Sequence, residues 1–207
     1  MDPKHEIVGV ALAGGASTRM GRDKSTLIWP PGAGNGKPLW RHTFDRLRGV
    51  TPDVLLADAG RCLAPPSETV PSVPDGPARG PAAGILGAAS ARPGQSLLVL
   101  AVDLPLIPVA LLRHLADLAP SDADWILPRR DRGPEPLCSV FGPAALEILR
   151  RRAESGIYDL HGLAELSDLR VRHVGDEELL RFGDPGKIFW NVNRPDDWRH
   201  LEISSSG

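Results

Sequence analysis

Ile7-Val8-Gly9-Val10-Ala11-Leu12-Ala13-Gly14-Gly15 is a nearly continuous apolar run that stops at two adjacent glycines. A run without alternation describes a strand covered on both faces, as a central parallel strand is between two helical layers. The same signature recurs at Ser96-Leu97-Leu98-Val99-Leu100-Ala101-Val102, ended by Asp103, and in shorter form at Val54-Leu55-Leu56-Ala57. Helical stretches lie between these runs. In Pro38-Leu39-Trp40-Arg41-His42-Thr43-Phe44-Asp45-Arg46-Leu47 the proline suits the first helical position, and Leu39, Trp40, Phe44 and Leu47 fall at helical spacing. Ala82 to Ala89 is small and apolar, suited to a helix packed closely on a sheet, and Pro108 to Leu118 reads as a further helix. A brief strand is expected around Val70 to Val73 within the Pro/Gly-rich stretch from Pro65 to Gly80. Strand and helix alternate, so the class is α/β with a mostly parallel sheet.

The second half is less regular. Beyond Asp124-Trp125-Ile126-Leu127-Pro128 the pattern loosens into a charged loop from Arg129 to Pro136, a short strand Leu137 to Phe141 and a helix Ala144 to Ala153. Ile188-Phe189-Trp190-Asn191-Val192-Asn193 then leads into Pro195-Asp196-Asp197-Trp198, where proline and acidic residues mark a helix start.

A chain of 207 residues, 42% hydrophobic, can bury one sizeable core and is short for two independent domains. Its net charge of −2 leaves no global field to hold nucleic acid or an anionic membrane, so any anion binding is local. Cys62 and Cys138 form neither a disulfide scaffold nor a zinc ribbon. The apolar run after the polar Met1 to Glu6 is too short for a membrane span or signal core, which predicts a soluble, cytoplasmic protein.

In α/β sheets ligands sit beyond the carboxyl ends of the strands, where both Gly14-Gly15 and Asp103 fall. Gly14 and Gly15 let backbone N–H groups approach phosphate oxygens, Ser17 and Thr18 add hydroxyl donors, and Arg19 and Lys24 add positive charge. The loop is neither G-x-x-x-x-G-K-[S/T] nor G-x-G-x-x-G, against a P-loop kinase or a dinucleotide dehydrogenase. A tight turn that merely needs glycine is the plainer reading of Gly-Gly, and Arg19, Gly21 and Lys24 in one loop outweigh it. Asp103, taken singly, reads as a turn or capping residue. Paired with a phosphate loop, it reads as a ligand to Mg²⁺, which wants one or two carboxylates plus phosphate oxygens and water. His5, His42, His114, His161, His173 and His200 show no ligand spacing. There is no G-x-S-x-G elbow, and the tryptophans are not interleaved with basic residues. Arg150-Arg151-Arg152 reads as a solvated cluster at a helix end.

The stretch Leu12-Ala13-Gly14-Gly15-Ala16-Ser17-Thr18-Arg19-Met20-Gly21-Arg22-Asp23-Lys24 resembles the signature of the MobA-like nucleotidyltransferases, and among them the molybdenum cofactor guanylyltransferases. The resemblance extends through Gly36-Lys37-Pro38-Leu39, Asp75, Gly80-Pro81-Ala82-Ala83-Gly84, Asp103-Leu104-Pro105 and Asn191-Val192-Asn193-Arg194-Pro195-Asp196-Asp197, in family order. It implies a Rossmann-like three-layer nucleotidyltransferase fold in residues 1–207, with 1–118 as the nucleotide-binding half and 119–207 as the acceptor-binding half. The reaction it implies moves GMP from GTP to the phosphate of molybdopterin or the molybdenum cofactor, with loss of pyrophosphate. Leu12, Ala13, Gly14, Gly15, Ser17 and Gly80 would line the nucleotide, Lys24 its phosphates, Asp75 the nucleoside, and Asp103 both nucleotide and Mg²⁺. Arg19, Lys24 and Asp103 would carry catalysis, and Asn191 and Asn193 would lie on the acceptor side. A monomer is expected, with transient contact to molybdenum-insertion and molybdoenzyme partners. Where the family often has a nucleotide-contacting asparagine after its second strand, Ala57-Asp58 stands here, with Asp58 as its possible substitute. The rival readings are a transferase using CTP or another phosphate acceptor, and a nucleotide-binding regulatory domain without turnover. Leu12, where related cytidylyltransferases tend to have proline, favours GTP.

Overall fold

A computed structural model describes residues 7–14, 23–31, 35–119, 121–193 and 197–198. In chain order the elements are β1 (Ile7–Leu12), β2 (Ile28–Trp29), β3 (Lys37–Pro38), α1 (Leu39–Arg48), β4 (Val54–Ala57), β5 (Ser72–Val73), α2 (Pro81–Ala91), β6 (Ser96–Ala101) and α3 (Val109–Leu118). There follow β7 (Trp125–Arg130), β8 (Gly133–Pro134), β9 (Cys138–Phe141), α4 (Pro143–Glu154), α5 (Leu160–Leu163), β10 (Val171–Val174), α6 (Asp176–Leu179) and α7 (Pro185–Ile188). The main sheet has the order β10-β7-β9-β6-β1-β4-β5, with β8 paired to the end of β7, and β2 and β3 form a separate hairpin. All pairings from β6 to β5 are parallel. β9 runs antiparallel between β6 and β7, so β7 and β10 again point the same way as β6. The α/β, mostly parallel architecture read from the apolar runs is the one found.

The unbroken apolar runs divide by parity. Val8, Val10 and Leu12 of β1, with Leu97 and Val99 of β6, pack with Ile85 of α2 and Leu146 and Leu149 of α4 on one face. Ala11, Leu98 and Leu100 point to the other face, against Leu39, Phe44 and Leu47 of α1 and Leu111, Leu112 and Leu115 of α3. Adjacent residues must therefore both be apolar, which is why the strands do not alternate. α2 approaches so closely that a Cβ on Gly87 would stand 2.0 Å from the Pro74 carbonyl oxygen. The Gly76 N–H donates to the Ala83 carbonyl at 2.7 Å, fixing Pro74-Asp75-Gly76 across the helix.

The differences from the sequence reading have local causes. Pro38 and Pro108 cap α1 and α3 from outside, at extended ψ of 145° and 144°, instead of opening them. β2 and β3 pair antiparallel on either side of a Pro/Gly-rich stretch, Ile28 opposite Pro38 and Trp29 opposite Lys37. β7 escaped detection because Pro128 interrupts it. That proline pairs with Val174 of β10 past the end of the β9 ladder, and its carbonyl accepts from Glu135 N–H at 2.8 Å. Trp125 stacks on Phe141 at 4.6 Å between ring centres and donates its indole N–H to Ser139 Oγ, locking β7 to β9. Arg150 and Arg151 pair with Glu147 on the surface of α4, as a solvated cluster should. Among the described residues no helix is long and apolar enough to cross a membrane.

Gly87→Ala tests the close approach of α2. The gain in helix propensity is about 1 kcal/mol. Overpacking costs about 1–3 kcal/mol, and a backbone carbonyl as the obstacle puts it at the upper end. A net fall in stability in urea denaturation is the expected outcome, whereas Gly175→Ala, in open space at φ −81°, will not show the same clash.

Candidate active site

Because β1 lies between β4 and β6 in register, Leu12 stands opposite both Ala57 and Ala101, and three strands end on one line. The exit of β1 is held by backbone: Ala13 and Gly14 N–H both donate to the Ala57 carbonyl at 2.9 and 3.0 Å, and Val102 N–H donates to the Leu12 carbonyl at 3.1 Å. Gly14 is exposed at this edge. Gly15, Ser17, Thr18 and Arg19, assigned to the phosphate loop, lie outside the described residues.

The chain returns at Asp23, whose carboxylate accepts from Ser25 N–H at 2.9 Å and Ser25 Oγ at 2.7 Å, capping a single 3-10 turn over Lys24–Thr26. Burial opposes the charge of Asp23, but the Ser25 hydrogen bonds and the neighbouring Arg61 outweigh it and hold its carboxyl below the ordinary value. The turn sends Lys24 across the strand ends. Its ammonium donates to Asp103 Oδ2 at 2.7 Å and to Asn193 Oδ1 at 3.2 Å. Asn193 thus joins the strand-end cluster, while Asn191 is exposed on the far side of fully buried Val192. Val192 N–H donates to the Asp103 carbonyl at 2.9 Å, so the C-terminal segment is pinned to the residue that ends the strongest strand.

Asp103 is 9% exposed, and its second oxygen, Oδ1, is buried with no hydrogen-bond partner among the described residues. A buried carboxylate oxygen left unsatisfied is costly, and a hard cation is a group that relieves it. No group of three His, Cys, Asp or Glu side chains gathers among the described residues to cage a metal. The Asp103 carboxylate fits a divalent cation held by one carboxylate and completed by phosphate oxygens and water.

On the α2 side, a Cβ added to Gly84 would lie 2.9 Å from Leu12 Cδ2 and 3.9 Å from Asp75 Oδ1. Leu12 and the exposed Asp75 therefore flank the same glycine, which brings together two residues assigned to the nucleoside. Gly80 caps α2 at φ +60°, a conformation that L side chains rarely adopt.

Asp58 does not present a ligand contact. It is fully buried, and its carboxylate accepts from Gly60 N–H, Leu63 N–H and Ser72 Oγ at 3.1, 3.0 and 3.0 Å. This hub holds a tight loop in which Ala59 and Cys62 take φ of +56° and +54°. The loop aims Arg61, a residue that no motif pointed to. Arg61 donates Nε to the Asp58 carbonyl at 3.0 Å, while its two terminal nitrogens bind the Ala13 carbonyl and Asp23 Oδ2. One guanidinium clasps both ends of the glycine loop. The only sequence signal was a basic residue just past a strand's carboxyl end.

Strands that end together on one carboxyl edge, between two helical layers, are the arrangement of a nucleotidyltransferase fold. The MobA-like NTP transferase domain model matches residues 9–171, and the chain belongs to that family. It is 35% identical to a "Probable molybdenum cofactor guanylyltransferase" of Natronomonas pharaonis, over 93% of this chain and 95% of that protein. It is 28% identical to the "Molybdenum cofactor biosynthesis bifunctional protein" of Synechocystis sp., over 94% of this chain but only 53% of that one, spanning about half its length. Among solved structures, molybdopterin-guanine dinucleotide biosynthesis protein A of Archaeoglobus fulgidus superposes with a TM-score of 0.81 at 25% identity, covering 97% of this chain and all (100%) of that one.

Arg61→Ala is expected to weaken nucleoside triphosphate binding roughly ten-fold, about 1.4 kcal/mol, by releasing the loop's anchors. Titration calorimetry with the triphosphate checks it, and unchanged affinity would refute the clasp. His42 Nε2 stands between the Pro105 carbonyl at 3.0 Å and Arg46 Nε at 2.8 Å, behind the turn that follows Asp103. Burial pushes its pKa from 6.5 down to about 4, despite the Pro105 carbonyl. Between those values the unfolded chain binds a proton that the folded chain refuses. The contribution is full above pH 6.5 and lost as pH falls toward about 4. Melting temperatures of wild type and His42→Gln should therefore converge across that interval.

Proposed function

We propose that this protein is a molybdenum cofactor guanylyltransferase, which transfers GMP from GTP to the terminal phosphate of molybdopterin or its molybdenum-loaded form. The observation that carries the reading is Asp103, with its unpartnered Oδ1, set against Lys24 and Asn193 at the mouth of a glycine loop. The names of the family's relatives supply the acceptor.

An oxygen of the acceptor phosphate attacks the α-phosphorus of GTP, the bond to the β-phosphate oxygen breaks, and pyrophosphate leaves with the electron pair. The nucleophile is already anionic, so no protein base is required. What the protein supplies is alignment of two mutually repelling anions and offset of their charge. Leu12, Ala13, Gly14, Gly15, Ser17 and Gly80 line the nucleotide, with Asp75 at the nucleoside. Lys24, poised between Asp103 and Asn193, turns its ammonium to the phosphates, and Arg19 adds a second positive charge. Asp103 would hold Mg²⁺, which would supply charge neutralisation to the triphosphate. Asn193 orients Lys24 and, with Asn191, borders the acceptor. In this reading the chain is one domain, its halves 1–118 and 119–207 facing nucleotide and acceptor, and it works in the cytoplasm as a monomer that meets molybdenum-insertion and molybdoenzyme partners.

Pyrophosphate release with GTP, molybdopterin and Mg²⁺ is the direct test, with CTP as competitor. Asp103→Asn, which keeps the shape of the side chain, is expected to lose at least about a hundred-fold in turnover, and Lys24→Ala about two to four orders of magnitude. Near-normal turnover by Asp103→Asn, or faster turnover with CTP, would overturn the assignment.

A further inference from the structure

Both oxygens of Asp103 are obstructed toward a free cation. Oδ2 accepts from the Lys24 ammonium at 2.7 Å, and Oδ1 is buried with no hydrogen-bond partner among the described residues. The ion pair is itself withdrawn from water, with 19% of the lysine side chain and 13% of the aspartate side chain exposed. Opposite charges attract more strongly where water damps them less, so a move of Lys24 from Asp103 into bulk solvent is unfavourable.

The position of Lys24 is built from both ends of the chain. Asp23 caps the turn that carries it, with its carboxylate committed to Ser25 and Arg61. Asn193 Oδ1 accepts a second hydrogen bond from the ammonium at 3.2 Å. The backbone that presents Asn193 is fixed twice, by Val192 N–H on the Asp103 carbonyl at 2.9 Å and by Asn193 N–H on Asp197 Oδ2 at 2.8 Å. Trp198 sets its ring edge-on to Trp29 at 6.1 Å, which ties the same segment to the β2–β3 hairpin. The lysine is therefore held on the acid by partners that are themselves anchored.

Charge decides what can join this pair. Lys24 and Asp103 together are neutral. A divalent cation added to them would stand beside an ammonium with two positive charges uncompensated. Asp23 is already paired with Arg61, Asp58 is turned into its own loop, and no group of three acidic, histidine or cysteine side chains gathers among the described residues. A triphosphate alters the balance, because its charge offsets both cations and gives the ammonium another anionic partner. We propose that Lys24 is a latch on Asp103, which shuts free divalent metal out of the nucleotide-free protein and opens only to the metal–triphosphate complex. The proposal rests on the metal and nucleotide assigned above. By linkage, the affinity that Lys24 withholds from free metal reappears as coupling between metal and triphosphate, typically 5- to 150-fold.

Titration of the nucleotide-free protein with Mn²⁺, followed by water-proton relaxation, reads the site without turnover. Lys24→Met removes the ammonium and keeps an unbranched side chain. It is expected to bind Mn²⁺ about 5- to 150-fold more tightly than the wild type, and the gain should vanish in the double variant Lys24→Met, Asp103→Asn. Lys24→Gln, which keeps a donor for Asp103 Oδ2 without the charge, gives the same readout if Lys24→Met does not fold. Equal Mn²⁺ affinity in the wild type and the folded Lys24 variants overturns the latch, as does a gain that survives the loss of Asp103. Turnover of Asp103→Asn separates this failure from that of the site: an active variant means that the metal ligand is misassigned, whereas an inactive one with no gain in Lys24→Met refutes the latch alone. If the wild type does not turn over GTP with molybdopterin, the reaction assigned above fails, and a gain that depends on Asp103 still supports the latch.

Discussion

The parallel pairing of β1 between β4 and β6 is the constraint on which the site depends. Its register ends three strands together at Leu12, Ala57 and Ala101. Past that line the chain must leave the sheet, and polar side chains at the exits project into shared space without a ladder to satisfy them. Asp103 lies just past one exit, Gly14 at a second and the Asp58 loop at the third. A slip of one residue in β1 would exchange Val8, Val10 and Leu12 for Ala11 across the sheet and place alanine and glycine against α2. The two-sided core therefore fixes the position of the site as firmly as it fixes the fold.

What surrounds the strand ends is a set of charges balanced against one another. Lys24 neutralises one oxygen of Asp103, Arg61 neutralises Asp23 and caps the Ala13 carbonyl, and Asp58 spends its carboxylate on its own loop. Each arrangement spares a buried polar group the cost of standing unpaired. The exception then carries information, since Asp103 Oδ1 is left without a partner among the described residues on the edge where ligands bind.

The first half was legible because its elements are long, apolar and regularly punctuated. β1, β4, β6, α1, α2 and α3 lie within a residue or two of where their patterns put them. The second half was harder for identifiable reasons. β7 carries Pro128, β10 contains Arg172 and His173 within a strand of four residues, and α5, α6 and α7 are single turns whose periodicity cannot be seen. In the site, Asp103 stood out because it follows a strand of unmistakable pattern, and Lys24 because it lies in the glycine-rich stretch after β1. Arg61 did not, because its role is set by a guanidinium reaching back across the chain to Ala13 and Asp23. Asp58 could be weighed only as a ligand contact until its burial showed where its hydrogen bonds go.

By itself the sequence determined the α/β class and the strands that hold the centre, and it pointed to the glycine loop and its acid. All of these follow from local patterns and from the rule that ligands gather at carboxyl ends of parallel strands. Tertiary structure alone decided that Lys24 lies on Asp103 and Asn193, that Asp58 faces inward, and that Arg61 closes the loop. These depend on contacts between residues far apart in the chain, whose distances are set by packing of the two faces of the sheet and leave no periodic trace in the sequence.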